Sequence, residues 1–433
     1  MPLPKHHYRV GTEDFEGEPP VELAEIARHR AKIEPWLSAV FQSEQLSLLA
    51  GSGLTSAIAA QTKATSAEMS MAKFNCAFDA QIDEAAKASA ESIGRGAPNV
   101  EDQLRSALSL EAGLEVLQDA RSNGLTTAIG NVLKNLVTQT LASERGIAEA
   151  IECESSAGLQ AKECLASFLM SFASRASSRE RLNVFTTNYD RLIEYGCDLL
   201  GLRIIDRFVG VLRPVFRSSR LGVDLHYNPP GIRGEPRFLE GVIRFAKLHG
   251  SMDWRFEGRE VVRWGLPFGA ADSHSDLPQD SWGKTMIFPN AAKDVETTSY
   301  PYAELHRDFA GTICRPNSAL VTYGYGFGDD HLNRVIRDML TLPSTHLVVI
   351  SYDDDSGRIE RFLDSAAKPQ QVSMLIGPHF ADMKNLTDHY LPRASLDQIT
   401  FRMAELLERR GRRRDDGGGD ATAGSEGADD FAD

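Results

Sequence analysis

The chain reads as an α/β protein, a parallel sheet flanked by helices and interrupted by a large helical insertion. Three observations predict this. Short apolar runs with β-branched content recur at residues 46–50, 183–185, 242–248, 319–323 and 347–350, with the length and composition of buried strands. Each run ends in a turn built from Gly, Asn, Asp, Thr or Ser, and helical spacing follows most of them, the alternation of a Rossmann-like sheet. Between about residues 61 and 174 the chain is instead rich in Ala, Leu, Glu, Lys and Ser, with Pro98 as its only proline, which favours consecutive helices.

Taken in order, residues 1–20 are polar and proline-rich, as expected of a flexible arm. Val21, Leu23, Ile26 and Ile33 suit a helix that stops before Pro35. Strand 46–50 runs into Gly51-Ser52-Gly53-Leu54-Thr55-Ser56, after which alanines favour helix. Inside the insertion, residues 100–119, 131–141 and 159–172 keep helical spacing, and Cys153 and Cys164 read as small apolar fillers. Strand 183–185 leads to Thr186-Thr187-Asn188-Tyr189-Asp190, with Asp190 as N-cap of a helix that Gly201 stops.

Residues 202–208 are a candidate strand and 221–240 a loop. Strand 242–248 ends in His249-Gly250-Ser251, and 254–264 look like a hairpin. Together 221–285 form a small elaboration on the sheet, followed by a short apolar segment at 286–290. Residues 302–313 read as a helix before strand 319–323. That strand enters Gly324-Tyr325-Gly326-Phe327-Gly328-Asp329-Asp330-His331, where the aspartates cap the next helix and His331 is a helix-start residue behind the site. Strand 347–350 ends in Asp353-Asp354-Asp355, carboxylates that accept ribose hydroxyls or equally start a helix around 359–362. Residues 372–376 are a candidate edge strand. Residues 396–410 form an amphipathic helix opened by a Ser395/Gln398 capping box, and 411–433 a disordered tail. Residues 21–410 therefore make one domain.

Composition narrows the function. Across 433 residues the formal charge is −14, so direct nucleic-acid binding by the body of the protein is not expected. The Arg409, Arg410, Arg412, Arg413, Arg414 cluster reads as part of a solvated tail. No apolar run is long enough to span a bilayer, and the N-terminus lacks the apolar core of a secretory signal, which points to the cytoplasm. Five scattered cysteines contain no Cys-x-x-Cys pair, so neither a disulfide framework nor a bound metal is expected.

Each turn alone is ambiguous. Gly51 and Gly53 let a diphosphate approach backbone N–H groups, but they suit a plain strand-to-helix turn as well. Thr186, Thr187 and Asn188 either meet a ligand or satisfy turn backbone. Asn188 carries both donor and acceptor, useful for orienting a sugar hydroxyl or a water. A lone histidine after a strand is commonly structural. In a parallel sheet, however, such strand ends converge on one crevice.

The ordered set of turns resembles the sirtuin family. The family's Gly-Ala-Gly loop is similar to Gly51-Ser52-Gly53, its Thr-Gln-Asn-x-Asp motif to Thr186-Thr187-Asn188-Tyr189-Asp190, its catalytic His-Gly to His249-Gly250, and its late glycine loop to residues 324–330. The wording of that last loop resembles the bacterial sirtuin-like NADases of antiphage defence. Two family features are missing: the four-cysteine zinc module and the Gly-Ile-Pro-Asp-Phe-Arg continuation, in whose place residues 56–61 read Ser-Ala-Ile-Ala-Ala-Gln. Both serve acyl-lysine peptide binding and the nicotinamide pocket.

The resemblance implies NAD as substrate and its hydrolysis, with water as acceptor, as the favoured reaction. It assigns catalysis to Asn188, orienting ribose and water, and to His249, taking a proton. Gly51, Ser52, Gly53, Thr55, Thr187, Asp190, Gly324, Tyr325, Gly326 and Phe327 would surround the dinucleotide. Because constant NAD loss is not tolerated by a cell, gating is expected, by self-assembly as a homo-oligomer or by a partner in trans, which the resemblance implies to be a HerA-type ATPase. The alternatives are an NAD-dependent protein deacylase or ADP-ribosyltransferase, and a non-enzymatic nucleotide-sensing subunit.

Overall fold

Seven parallel strands extended by an antiparallel hairpin form the main sheet of the computed structural model, which describes residues 6–67, 69–92, 97–176, 179–219, 222–227, 237–277, 300–355, 357–365 and 368–393. The strands are β1 (His6–Val10), β2 (Glu13–Gly17), β3 (Gln45–Ala50), β4 (Asn183–Thr186), β5 (Arg203–Ile205), β6 (Phe208–Val209), β7 (Val215–Phe216), β8 (His226–Tyr227), β9 (Arg237–Phe238), β10 (Val242–Lys247), β11 (Trp254–Glu257), β12 (Glu260–Arg263), β13 (Ser318–Tyr323), β14 (His346–Ser351) and β15 (Val372–Ile376). The helices used below are α1 (Leu23–Phe41), α2 (Ser52–Thr62), α3 (Asp79–Ser92), α4 (Val100–Val116), α5 (Ser122–Glu152), α6 (Ser156–Ala173), α7 (Leu192–Leu200), α8 (Tyr302–Ile313), α9 (Asp330–Met339) and α10 (Arg358–Ser365).

The main sheet runs β2-β1-β15-β14-β13-β3-β4-β10-β5. From β3 the chain moves to β4, then to the edge strand β5, inserts β10 between those two, and returns to the other side of β3 with β13, β14 and β15. The strand order thus reverses at β3, the place where open parallel sheets leave a crevice. The central strands β3, β4 and β13 are buried along their whole length, because helices cover both faces. Alternate residues serve opposite cores. Ala319, Val321 and Tyr323 join the core under α2, α6 and α7, whereas Leu320 joins the one under α8 and α9. A separate four-stranded sheet, β11-β12-β7-β6, caps the second core through Phe216 and Trp254.

Several expectations need correction. Residues 6–17 are not a mobile arm: β1 pairs antiparallel with β15, and Tyr8 and Val10 are buried in the core. That pairing also makes β15 an interior strand rather than an edge. Helix α1 runs through Pro35 to Phe41, because Ile33, Leu37 and Phe41 are buried on one face and tertiary packing outweighs one lost backbone bond. Helix α2 starts at Ser52, ahead of the alanines.

The insertion is less separate than its composition implied. Helices α3, α4 and the first half of α5 share a core of their own, but Ile147 and Ile151 of α5 and all of α6's buried face belong to the sheet's core. Cys164 is a buried filler, as expected, while Cys153 is exposed. The segment 286–290, the helix 396–410 and the tail 411–433 lie outside the described residues. No helix among the described residues is long and apolar enough to cross a membrane.

Candidate active site

A cavity of about 400 Å³ opens at the carboxyl ends of β3, β4, β10 and β13, a size ordinary for small-molecule sites. Of the expected site residues, Asn188, His249, Gly51, Ser52, Thr55, Thr187, Asp190, Tyr325 and Gly326 line it. Gly53, Gly324 and Phe327 do not. Two loops from distant parts of the chain and two strand-end polar groups therefore share one space.

The turn after β4 is held by its own polar groups. Thr186 Oγ1 donates to the Ala50 carbonyl (2.9 Å) and accepts the Asn188 N–H (3.0 Å). Asn188 Nδ2 donates to the Gly51 carbonyl (3.0 Å) and to Thr55 Oγ1 (3.2 Å), and the Thr55 hydroxyl donates to Asp190 Oδ2 (2.7 Å). The Gly51 carbonyl can only accept, so the amide orientation is fixed by chemistry, and both amide hydrogens are used. What Asn188 retains for a ligand is its carbonyl oxygen. Asp190 is spent on structure as well: Oδ1 accepts the Leu192 N–H (3.1 Å), as a capping side chain would, although the helix starts one residue later than expected, with Arg191 in the N-cap position. The buried Lys247 ammonium donates to the Asp190 carbonyl from beneath.

The fold gives the glycines a requirement of its own. Cβ atoms added at Gly51 and Gly53 would strike the backbone of Gly324, the latter at 2.6 Å, and Gly324 adopts φ +58°. Gly51 N donates to the Tyr323 carbonyl and Gly53 N to the Gly324 carbonyl. The two glycine loops thus pack backbone to backbone, and these amides at the start of α2 are consumed. Ser52, exposed on that first turn, is the position left to meet a ligand. Phe327 turns inward, with its ring 4.6 Å from Phe362 and 4.9 Å from Tyr325. It is a core residue because its stacking partner lies in α10, invisible to local reading.

His249 is 4% exposed, and its Nε2 stands 3.7 Å from Asp329 Oδ2. Asp329 is the N-cap position of α9 but makes no side-chain cap bond there; its carboxylate faces the imidazole instead. His331, in the first turn of α9, places its ring 6.0 Å from that of His249.

Other cavity residues were not foreseen. Glu101 of α4 and Thr140 and Ser143 of α5 come from the insertion, and Ser66, Ala67 and Met69 come from the segment after α2. Asp355 and Arg358 form an ion pair over Gly326, and Arg358 Nε donates to the Gly326 carbonyl (2.8 Å). The ambiguity at 353–355 is thereby divided: Asp354 caps α10 through the Glu360 N–H (2.9 Å), and Asp355 lines the cavity. Glu144 and Arg191, both buried, pair at 2.5 Å and tie α5 to the turn. The signal for these residues is contact across the fold, which local spacing does not carry. Among the described residues, no group of three or more His, Cys, Asp or Glu is placed to hold a metal ion.

No curated protein matches the chain with significance. Residues 182–368, the span that holds Asn188, His249 and the loop from Gly324 to Asp329, match the family model of the SIR2-like domain, a match that points to NAD-related chemistry.

Proposed function

We propose that the protein hydrolyses NAD to nicotinamide and ADP-ribose, as a cytoplasmic toxic effector of bacterial antiphage defence that is gated by a partner or by assembly. The observation that carries this is the meeting of Asn188 and His249, from neighbouring strands, in one cavity with Gly51 and Gly326. The SIR2-like match over 182–368 supports the dinucleotide as the ligand.

Nicotinamide leaves a cationic glycosidic bond as a neutral molecule, so the site must hold the sugar and position an acceptor. The Asn188 carbonyl oxygen orients a ribose hydroxyl or the attacking water. His249 takes the water's proton, and Asp329 favours the imidazolium so formed. Ser52 and Arg358 face the diphosphate, the guanidinium supplying the positive charge. Thr55, Thr187, Asp190 and Tyr325 keep the walls in place, and Gly53, Gly324 and Phe327 support them from behind. The homo-oligomer and the HerA-type ATPase partner belong to the same proposal and rest on the resemblance.

Chromatography of NAD after incubation with the protein, purified with whatever co-elutes, tests it. Nicotinamide and ADP-ribose should appear, and should vanish with Asn188→Ala or His249→Ala while the fold is retained. NAD bound tightly but left intact by the assembled protein would make the chain a nucleotide sensor. Transfer to protein or acyl-peptide faster than hydrolysis would make it a transferase.

A further inference from the structure

We infer that Glu101, contributed by the helical insertion, is a catalytic carboxylate that faces the nicotinamide-bearing ribose and stabilises the positive charge developing on it. This rests on the NAD-hydrolase reading and adds a residue to that reaction.

Glu101 lies in the first turn of α4. A capping box fixes that turn: Asn99 Oδ1 accepts the Asp102 N–H and Asp102 Oδ2 accepts the Asn99 N–H, both at 3.1 Å. The side chain lines the cavity shared by Asn188 and His249, yet the residue is only 9% exposed. Its Oε1 accepts the Tyr189 hydroxyl at 3.0 Å. Tyr189 directly follows Asn188, and its ring centroid is 6.4 Å from that of His249. One phenol therefore tethers the carboxylate to the turn that aims the amide, and its ring lies beside that of the histidine. Burial and the neighbouring Glu101 hold that phenol well above its usual range, so the hydroxyl keeps its proton and donates it in the hydrogen bond to Glu101. Burying a carboxylate beside a neutral phenol is costly, and a cationic substrate offsets that cost.

In the reaction, the bond between ribose C1′ and the pyridinium nitrogen breaks and its electron pair goes to nicotinamide. Positive charge passes to the ribose. Water oxygen forms the new bond to C1′, and its proton goes to His249 and then to solvent, leaving ADP-ribose. A fixed anion in a partly desolvated pocket stabilises the ribosyl cation more than the ground state only if it sits on the ribose side of the breaking bond.

The test compares wild type, Glu101→Gln and Glu101→Asp by steady-state NAD hydrolysis, and by affinity for NAD against NADH, whose nicotinamide ring is neutral. Glu101→Gln keeps an acceptor for the Tyr189 hydroxyl and removes the charge. It should lower kcat on the order of 10²-fold with KM changed far less, and reduce the NAD-over-NADH preference. Glu101→Asp should recover part of the rate. Hydrolysis by Glu101→Gln at the wild-type rate, or an Asp variant no better than Gln, overturns the role of Glu101 and leaves the hydrolase reading standing. A wild type that does not hydrolyse NAD overturns that reading. If the preference for NAD over NADH nevertheless depends on Glu101, its placement facing the cation survives; if it does not, both fall.

Discussion

Replacing Asn188 with aspartate, rather than alanine, separates what the amide holds together from what it offers a ligand. Its Nδ2 donates to the Gly51 carbonyl at 3.0 Å and to Thr55 Oγ1 at 3.2 Å, and the Thr55 hydroxyl is already donating to Asp190. Both neighbours are thus acceptors toward Asn188. Alanine removes two hydrogen bonds, but the Gly51 carbonyl keeps the Leu54 N–H (3.0 Å) and Thr55 keeps Asp190. No buried partner is orphaned, so Asn188→Ala should cost only about 1–2 kcal/mol. Aspartate loses the same bonds and sets a buried carboxylate against a carbonyl oxygen and close to Asp190, for about 3–5 kcal/mol at neutral pH. Protonation relieves that conflict, so the new carboxyl has a folded pKa raised above its unfolded value of about 3.9. The excess penalty over alanine should be absent below about pH 4 and grow as pH rises through the folded pKa. Urea unfolding of the three proteins at pH 4 and pH 7 measures it. Equal stability of the two variants at pH 7 would mean that the amide nitrogen does not face Gly51, and the assignment of the carbonyl oxygen to the ligand would fail with it.

Two further outcomes follow from packing and from burial. Gly53→Ala drives a Cβ to 2.6 Å from the Gly324 Cα, against backbone on both sides, and should cost about 1–3 kcal/mol while weakening ligand binding. Gly113→Ala, within α4 and with nothing within 4 Å, should stabilise by about 0.5–1 kcal/mol; thermal melts that rank the two the other way would contradict the loop packing. Burial holds His346, on β14, down at about 4, with its Nε2 2.9 Å from Ser373 Oγ. A histidine depressed in the folded state gives stability that is full above its unfolded value near 6.5 and lost as pH falls toward 4, on the order of 3 kcal/mol here. Urea midpoints should therefore fall between pH 7 and pH 4.5, and less steeply in His346→Gln; a flat profile in wild type would refute it.

What the sequence disclosed is what local chemistry dictates. The central strands were legible because parallel strands covered on both faces are apolar throughout, and helix α8 because its apolar spacing coincides with its buried face, Tyr302, Leu305, Phe309 and Ile313. Asn188 and His249 were singled out by the order of the polar turns along the chain and the family that order resembles, since each turn alone is ambiguous. The glycines have a second requirement that local reading does not show: a positive φ or a close approach marks a glycine, but only the fold reveals that Gly53 approaches Gly324. Pro35 and the β1–β2 hairpin misled because tertiary packing, on Leu37 and Phe41 in one case and on β15 in the other, overrides propensity.

The roof of the cavity was illegible for a topological reason. Strands β3 and β4 are adjacent and parallel, so the chain between them must cross over from one end of the sheet to the other. A single helix suffices for that, and here α2 starts the crossing and α6, packed on the same core, completes it. Everything from residue 63 to the middle of α5 is an excursion from that crossover. It returns over the crevice through Ser66, Ala67 and Met69, and again through Asn99 and Glu101. Its composition signals only helix, since Glu101 meets the cavity and Tyr189, 88 positions later, only through the fold. The half of α5 that packs on the sheet is tied to the same turn, since Glu144 accepts the Arg191 N–H (2.8 Å) and pairs with its guanidinium beside Asn188. The roof itself reaches that turn through Glu101, which accepts the hydroxyl of Tyr189 next to Asn188.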